Sequence, residues 1–288
     1  MLTGETTHRS DLDPDHLTAK LQAHGVERLQ GEADLWVVLD GSDLRKPHAQ
    51  RMDCLQRVPR LAGGGTVHGY RTPNAIGLGS GGRRGLLYHR LFSSHAPDFV
   101  SEADETRTAI ASVAAALGPL VAAGSVVTWT LDAGFDDVAV WSAIWAPAHR
   151  LVCRLAHRDR WVRDADGVVC QLGDLAAQLR PLAEAAAAMV VQKVGQSRPK
   201  LQPVTATVAA VPLQVAWRPG LRTTAEGEER TQACGLVEVR LQRVAQEPWW
   251  LLTDRPVTTA EEAVTIFRLY CQRWAIEDAF KVAKTCLG

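Results

Sequence analysis

The sequence predicts an α/β fold built around a mixed sheet. Apolar runs of strand length alternate with helical patterns, in the order β-β-β-α-β-α-β over the first half of the chain. Two of the predicted strands finish on an aspartate that is followed by a glycine within two residues. With 288 residues and 46% hydrophobic content, the chain can bury a sizeable core, as one large domain with an insertion or as two domains.

The first part of the chain predicts a meander of three antiparallel strands. Residues 1–34 are polar, with one short helical pattern near DHLTAKLQAHGVERL. The run LWVVLD (35–40) reads as a buried strand that ends at Asp40. Glycine turns and alternating residues continue this pattern as far as residue 94.

Two helices and two strands are predicted next. The segment 101–124 has the pattern of a helix, with Ser101 as N-cap and Gly124 as its stop. SVVTWTLD (125–132) predicts a β-branched strand that ends at Asp132. A short helical run follows, and then the strand HRLVCRLAH (149–157). Arg150 and Arg154 in this strand, with Arg158 directly after it, could line a DNA groove or sit on a solvated sheet edge.

The second half begins with a segment of different character. Residues 158–247 predict an alanine-rich helix at 174–190 and then short strands, so we expect a mostly β insertion domain here. PWWLLTD (248–254) predicts a strand whose tryptophans belong to the core, and a long final helix follows from Thr258 or Thr259.

The composition argues against a secreted, a membrane-spanning and a zinc-binding protein. The net charge is zero, with 32 basic and 32 acidic residues, but Gly41 to Val100 carries nine Lys/Arg against three Asp/Glu. The six cysteines lack zinc spacing and suit the core of a protein from a reducing cytoplasm. Neither a signal peptide nor a membrane-spanning apolar run is visible.

The last helix concentrates charge on one face. At about 100° per residue, Tyr270, Arg273, Glu277, Lys281 and Lys284 fall within an arc of about 80°. Such a stripe can be a solvated face of salt bridges worth a few tenths of a kcal/mol each, by the usual ~0.2–0.5 kcal/mol per pair. A single carboxylate among three cations also suits a metal ligand beside a phosphate.

Three carboxylates could meet at one cleft. Strand ends project side chains into such clefts, so Asp40 and Asp132 could join Glu277 there, although each aspartate alone is commonly a turn residue. Three carboxylates form a hard oxygen site that prefers Mg²⁺ or Mn²⁺ over zinc. Asp43, Asp136 and Asp137 are alternatives that more readily cap or pair with arginine.

These motifs resemble one known family. The spacing Y-x2-R-x3-E-x6-K of Tyr270, Arg273, Glu277 and Lys284 is similar to that of the RNase H-like DDE transposases of bacterial insertion sequences, in the branch with the Tyr-Arg-Glu-Lys signature (the IS4-like transposase domain). LDGSDLRKP around Asp40 and TWTLDAGFDD around Asp132 also resemble that family. The resemblance covers about 35–157 and 248–288.

The resemblance implies a fold and a division of the chain. The fold would be an RNase H-like mixed sheet flanked by helices and interrupted by a mostly β insertion domain before the last, catalytic helix. A short segment 1–34 would precede the first part of the core at 35–157. The insertion would occupy 158–247, and 248–288 would supply the last strand and the catalytic helix.

It also implies roles for individual residues. Asp40, Asp132 and Glu277 would be the catalytic residues and would hold two Mg²⁺ ions, for which Mn²⁺ could substitute. The DNA phosphates would be contacted by Tyr270, Arg273, Lys281 and Lys284. A tryptophan at 217, 249 or 250 could hold a flipped base.

The activity implied is Mg²⁺-dependent cleavage and strand transfer of double-stranded DNA at insertion-sequence ends, by an endonuclease that acts as a dimer on DNA at the bacterial nucleoid. Only 39 residues precede Asp40 and four follow Lys284, so we expect a chain shortened at both ends. Two alternatives remain open: a remnant that binds DNA without turnover, and a related RNase H-like nuclease that hydrolyses without joining ends.

Overall fold

The computed structural model describes residues 14–49, 51–60, 64–191, 200–216, 231–243 and 247–276. Five α-helices and twelve strands lie in these ranges. In chain order they are α1 (Pro14–Glu27), β1 (Asp34–Arg45), β2 (Gln56–Pro59), β3 (Thr66–Gly79), β4 (Arg84–His89), α2 (Glu102–Ala122), β5 (Val126–Leu131), α3 (Val138–Trp145), β6 (Arg150–Arg154), β7 (Trp161–Arg163), β8 (Val169–Gln171), α4 (Leu172–Ala177), β9 (Ala183–Val191), β10 (Lys200–Ala216), β11 (Thr231–Leu241), β12 (Trp249–Thr253) and α5 (Ala260–Cys271). None of the described helices combines the length and the apolar character needed to cross a bilayer.

All twelve strands belong to one sheet. Its order is β2-β3-β1-β5-β6-β12-β11-β10-β7-β8, with β4 also pairing with β3 and β9 with β10. The pairs β1–β5 and β5–β6 are parallel, and the other pairs are antiparallel. The predicted α/β class with a mixed sheet is therefore confirmed, and most of the strand pairs are antiparallel.

Helices cover both faces of the sheet because its strands are apolar on both sides. On β1, Leu35, Val37 and Leu39 are fully buried in the cluster that contains residues of α2 and α3. The neighbouring Val38 points to the opposite face and packs with Ile276, just beyond α5. The alternation of a strand thus places α2 and α3 on one side and the end of α5 on the other.

Local signals fix the ends of the helices. Ser101 is the N-cap of α2, with its side chain accepting from the Asp104 amide at 3.1 Å, and Gly124 follows the helix at φ 101°. A capping box of Thr259 and Glu262 begins α5. The predicted caps are confirmed because each depends only on a few neighbouring residues.

Two predicted elements are wrong in part. The alanine-rich stretch expected as one helix at 174–190 forms the short α4 and then β9, which pairs with β10 from Ala183↔Val208 to Val191↔Lys200. Helix propensity is weak compared with tertiary pairing, and here the pairing prevails. The final helix is α-helical over Ala260–Cys271, narrows to a 3₁₀ turn over Gln272–Trp274, and is α-helical again at residues 275 and 276.

The segment predicted as an insertion domain is continuous with the main sheet. Strand β11 pairs with β12, and β12 pairs with β6, so the hydrogen-bonded ladder runs from β6 into 158–247 without a break. In its described residues this segment contributes strands β7 to β11 and the short helix α4. Its predicted β character agrees with these strands, and the domain boundaries stay a prediction.

Candidate functional site

Asp40 and Asp132 lie at the same level of two neighbouring parallel strands. The β1–β5 register pairs Val38 with Thr130, and each aspartate follows its member of this pair by two residues. After β1 the chain continues on one side of it, to β3, and returns on the other side as β5. The two carboxylates therefore sit where the strand order switches direction, which is where open α/β sheets form a crevice.

The predicted end of the first strand is wrong. Strand β1 continues to Arg45 and stays paired with β3, with Asp40 opposite Asn74 and Arg45 opposite Gly69. The parallel neighbour β5 ends at Leu131, one residue before its predicted end at Asp132. Beyond Asp40 the β1–β3 ladder therefore projects past the strand that carries the second carboxylate.

A cavity of about 380 Å³ opens at this level. Asp40 and Asp132 both line it. Its walls also come from the first turns of α2 and α3, including Glu102, Thr106 and Val140. The predicted carboxylates of the two strands are thus brought to one concave site.

Each aspartate is oriented by a hydrogen bond from the backbone that follows it. Asp40 Oδ1 accepts from the Gly41 amide at 2.8 Å, and Asp132 Oδ1 accepts from the Gly134 amide at 2.9 Å. Arg273 Nη1 lies 3.3 Å from Asp40 Oδ2. Within the described part of the chain, Asp132 Oδ2 has no hydrogen bond or ion pair. One oxygen of each carboxylate is thus held by the main chain.

Three other carboxylates line the cavity but are engaged elsewhere. Asp43 pairs with Arg45 at 3.3 Å, and Glu102 pairs with Arg71. Asp137 caps α3 by accepting from the Ala139 amide at 2.7 Å. These contacts agree with the expectation that Asp43 and Asp137 pair or cap.

Asp136 is likewise engaged in structure. Its carboxylate accepts from the amides of Ala156 and His157 at 2.7 and 2.8 Å and from Arg160 at 2.5 Å. Its side chain is 1% exposed, and the Arg160 guanidinium stacks over Trp141 at 4.5 Å. Asp136 thus fixes the loop after β6 to the connection that carries Asp132.

The end of α5 packs over the face of the sheet opposite to α2 and α3. Tyr270 is 1% exposed and contacts Trp249 edge to face, with 5.3 Å between the ring centroids. Burial raises the pKa of Tyr270, the charge of Asp132 adds to that rise, and the nearby Arg273 and Arg154 oppose it. Tyr270 and Arg273 thus bring α5 close to both aspartates, with Tyr270 as part of the core. Their predicted contacts with DNA stay a prediction.

The three arginines of the β6 region separate into different environments. Arg150 pairs with Asp254 at 3.5 Å, and Arg158 pairs with Glu247 at 2.8 Å. Arg154 is half-buried over the Trp249 ring, 5.6 Å from its centroid, and has no carboxylate partner among the described residues. Since β5 and β6 pair Leu131 with Cys153, Arg154, the last residue of β6, lies at the level of Asp132.

Four residues named from the sequence lie outside the described residues, namely Glu277, Lys281, Lys284 and Trp217. Glu277 follows Arg273 by four positions. Trp249 and Trp250 are 3% and 7% exposed, which confirms that they are core residues.

The donor set can be compared with the demands of a metal ion. Within the described ranges, no group of three or more His, Cys, Asp or Glu side chains is placed to hold one. The two carboxylates at the cavity are hard oxygen donors of the kind that Mg²⁺ binds, usually through one or two carboxylates together with water and substrate oxygens. The described pair therefore fits two ligands of such a site.

Sequence reasoning missed a polar row behind Asp40. Asn74, directly across from Asp40 on β3, is 3% exposed and donates to Thr72 Oγ1 at 2.6 Å. The side-chain oxygen Oδ1 of Asn74 lies 2.6 Å from Nδ1 of His89 on β4. Only strand register reveals this row, since Thr72, Asn74 and His89 form no local motif.

No protein-family model and no curated protein sequence matches this chain. The features that bear on its function are therefore its own: two aspartates on neighbouring parallel strands, a shared cavity, and a helix end whose arginine reaches one of them.

Proposed function

We propose that this chain is the catalytic core of an RNase H-like DNA transposase, which cleaves and joins DNA with Mg²⁺ held by Asp40, Asp132 and Glu277. The observation that carries the proposal is the placement of Asp40 and Asp132 at one level of two parallel strands, on one cavity. The Tyr-Arg-Glu-Lys spacing of the last helix agrees with it.

The strand order supports the RNase H-like part of the proposal. Three antiparallel strands, β1, β3 and β4, are followed by β5 and β6, which lie parallel to β1 on its other side. Helix α2 precedes β5 and α3 precedes β6, which gives the β-β-β-α-β-α-β order expected for that core. The short β2 is an addition that pairs with the outer end of β3.

The position of α5 supports the third ligand. Arg273 reaches Asp40, and the charge of Asp132 acts on Tyr270, so the segment before Glu277 lies against both aspartates. Glu277 is four residues further along the chain. The proposal therefore takes Glu277, which follows this segment in sequence, as the third ligand.

The chemistry follows from the residue types. When bound, two divalent ions activate a water or a 3′-hydroxyl and stabilise the leaving oxygen of an in-line phosphodiester displacement. The main-chain hydrogen bonds to Asp40 and Asp132 limit the rotation of these carboxylates. Two arginines place positive charge around the position of a bound phosphate. Arg154 lies beside Asp132 and over Trp249, and Arg273 lies beside Asp40.

The test is a pair of reactions with Mg²⁺: nicking of a supercoiled plasmid that contains the DNA flanking the gene, and joining of a labelled 3′-hydroxyl end from that DNA to the plasmid. We expect Asp40→Asn, Asp132→Asn and Glu277→Gln each to reduce both by at least about 100-fold. Removal of a group that acts in the transition state typically costs ~10²–10³ in rate. Matched controls are Asp166→Asn and Glu261→Gln, which change exposed carboxylates.

The products decide among the alternatives. Nicking that survives Glu277→Gln would refute the proposal. Hydrolysis without joined product would identify a nuclease that uses the same carboxylates. Salt-sensitive DNA binding with no metal-dependent cleavage by the wild-type chain would identify a protein that binds without turnover.

A further inference from the structure

The ladder of β1 and β3 forms an arm beyond the cavity. The last pair of β1 with the parallel β5 is Val38↔Thr130, whereas β1 stays paired with β3 to Arg45↔Gly69. Strand β2 joins the outer end of this ladder, pairing with β3 over Thr66–Gly69. We call this three-stranded projection, made of residues 41–46, 56–59 and 66–72, the β-arm.

One face of the β-arm is continuous with Asp40. Residues directly opposite in an antiparallel pair share a face, and so do alternate residues of one strand. The face of Asp40 therefore continues through the pair Ser42↔Thr72, both of which line the cavity. It continues further through Leu44↔Tyr70.

Three basic side chains end this face. The Lys46 amide donates to the His68 carbonyl at 2.7 Å, which extends the β1–β3 ladder by one pair. His68 is in turn opposite Arg57 on β2. Lys46 is six residues beyond Asp40, so at ~3.3 Å per residue these three side chains lie about 20 Å along the strand direction from Asp40.

The two faces of the β-arm differ in how their charges are neutralised. On the face away from Asp40, Arg45 pairs with Asp43 and Arg71 pairs with Glu102. On the Asp40 face, Lys46 and Arg57 have no carboxylate partner among the described residues. Burial alternates along β2 so that Gln56 and Val58 are buried while Arg57 is exposed, which shows that the Asp40 face is open to solvent at Arg57.

The surrounding sequence keeps the tip positive. Residues 46–60 contain two further arginines, Arg51 and Arg60, and one acid, Asp53. The chain as a whole has no net charge, so this excess is local. A local cluster of uncompensated cations is the surface that a polyanion recognises, because each phosphate contact releases condensed counterions.

We propose that Lys46, Arg57 and His68 on the β-arm bind the phosphate backbone of duplex DNA about 20 Å from Asp40. This rests on the proposed function for the identity of the nucleic acid. Since DNA rises 3.4 Å per base pair, the contact falls about six base pairs from the reacting phosphate when the duplex runs along the arm. The β-arm then fixes the direction in which DNA leaves the cavity.

The test measures binding without chemistry. The fluorescence anisotropy of a labelled duplex longer than the β-arm is followed over a series of salt concentrations, with EDTA in place of Mg²⁺. We expect the double variant Lys46→Gln/Arg57→Gln to reduce the slope of log K against log salt by about two, from ~0.9 for each lost phosphate contact. Affinity at moderate salt should fall roughly 10-fold or more by the same relation.

Two matched variants serve as controls. Lys20→Gln/Arg84→Gln also removes one lysine and one arginine, both exposed, on α1 and on β4 near the β3–β4 turn. It should leave the slope unchanged. Arg57→Lys keeps the charge and should also keep the slope, since backbone contact depends on charge more than on geometry. Unchanged thermal unfolding of each variant shows that the fold is intact.

The outcomes separate this inference from the proposed function. An unchanged slope in the β-arm variant, or an equal loss of slope in the control variant, overturns the proposal that the β-arm binds DNA, whatever the cleavage assays show. Tighter binding of an RNA duplex of the same sequence overturns DNA as its partner. A failed cleavage assay refutes the proposed function and leaves the metal-free comparison of these variants valid.

Discussion

Arg273 and Asp40 are 233 positions apart in sequence, and their side chains meet at 3.3 Å. The arginine belongs to the 3₁₀ turn after α5, and the aspartate belongs to the middle of β1. Both side chains are largely buried, at 13% and 18% exposed. The contact therefore ties the last described turn of the chain to the first core strand at the level of the cavity.

Replacement of Arg273 should destabilise the fold. We expect Arg273→Gln to lower the free energy of unfolding by about 1–3 kcal/mol, less than the ~3–5 kcal/mol typical of a fully buried pair. The free energy of unfolding of Arg273→Lys should lie between those of the wild type and of Arg273→Gln. Lysine keeps the charge but loses the planar group that lies over Trp274 at 5.4 Å. Urea unfolding measures both.

Arg268→Gln is the matched control for this prediction. Arg268 is exposed in the last turn of α5, so its loss should change stability by no more than about 0.5 kcal/mol. If Arg273→Gln unfolds at the same urea concentration as the wild type, the contact with Asp40 contributes nothing to the fold.

The sequence was informative where the signal is local. The N-cap at Ser101 and the capping box at Thr259 depend on a few adjacent residues and are found as predicted, Asp40 lies in the strand predicted for it, and Asp132 directly follows its strand. The alanine-rich stretch failed for the opposite reason. Its intrinsic preference is helical, but β10 offers Ala183–Val191 a partner strand that no local pattern reveals.

Register was the part of the site that could not be predicted. That Asp40 and Asp132 share one level depends on the pairing of β1 with β5, which are separated by three strands and a helix in sequence. The position of Arg154 beside Asp132 depends in the same way on β5 and β6. The sequence supplied the residue types, and long-range pairing determined which of them meet.

His149 should make the stability of the fold depend on pH. Its ring is 3% exposed, and its Nδ1 accepts a hydrogen bond from the Trp129 indole at 3.0 Å, so the neutral form is the one that fits. Burial lowers the pKa of His149 from 6.5 to about 4. The unfolded chain thus binds the proton more readily than the folded chain between these values.

The direction of this pH effect on stability follows from the lowered pKa of His149. The contribution of His149 is complete above pH 6.5 and is lost as the pH falls from 6.5 towards 4, by at most about 3 kcal/mol. His149→Gln keeps an acceptor for Trp129 but does not titrate. The difference in unfolding free energy between wild type and variant should therefore shrink over that window. A constant difference from pH 7 to pH 4 would contradict the prediction.

The contact of Asp136 with Arg160 should behave as a coupled pair. The Asp136 carboxylate also accepts from two backbone amides, but Arg160 is 17% exposed, so Asp136→Asn should cost about 2–4 kcal/mol, somewhat less than the ~3–5 kcal/mol for removing one partner of a fully buried pair. A double-mutant cycle with Arg160→Gln should give a coupling energy of about 1–3 kcal/mol. Additive losses would show that the two side chains act independently.

The close approach of α1 to β4 gives a prediction in which two effects oppose each other. Gly25 lies within α1, where alanine is favoured by about 1 kcal/mol on helix propensity. A Cβ at Gly25 would lie 2.0 Å from the backbone oxygen of Leu86, and one at Gly85 would lie 2.2 Å from the backbone oxygen of Gly25. Backbone atoms cannot rotate away, so the helix must shift from the sheet.

Gly25→Ala should therefore destabilise the protein despite its gain in helix propensity. We expect a net loss of about 1–3 kcal/mol, the usual cost of overpacking, measured by urea unfolding. His24→Ala, at an exposed position of the same helix, isolates the effect of propensity and should be neutral or slightly stabilising. If Gly25→Ala proves as stable as His24→Ala, α1 does not pack against β4 through these glycines.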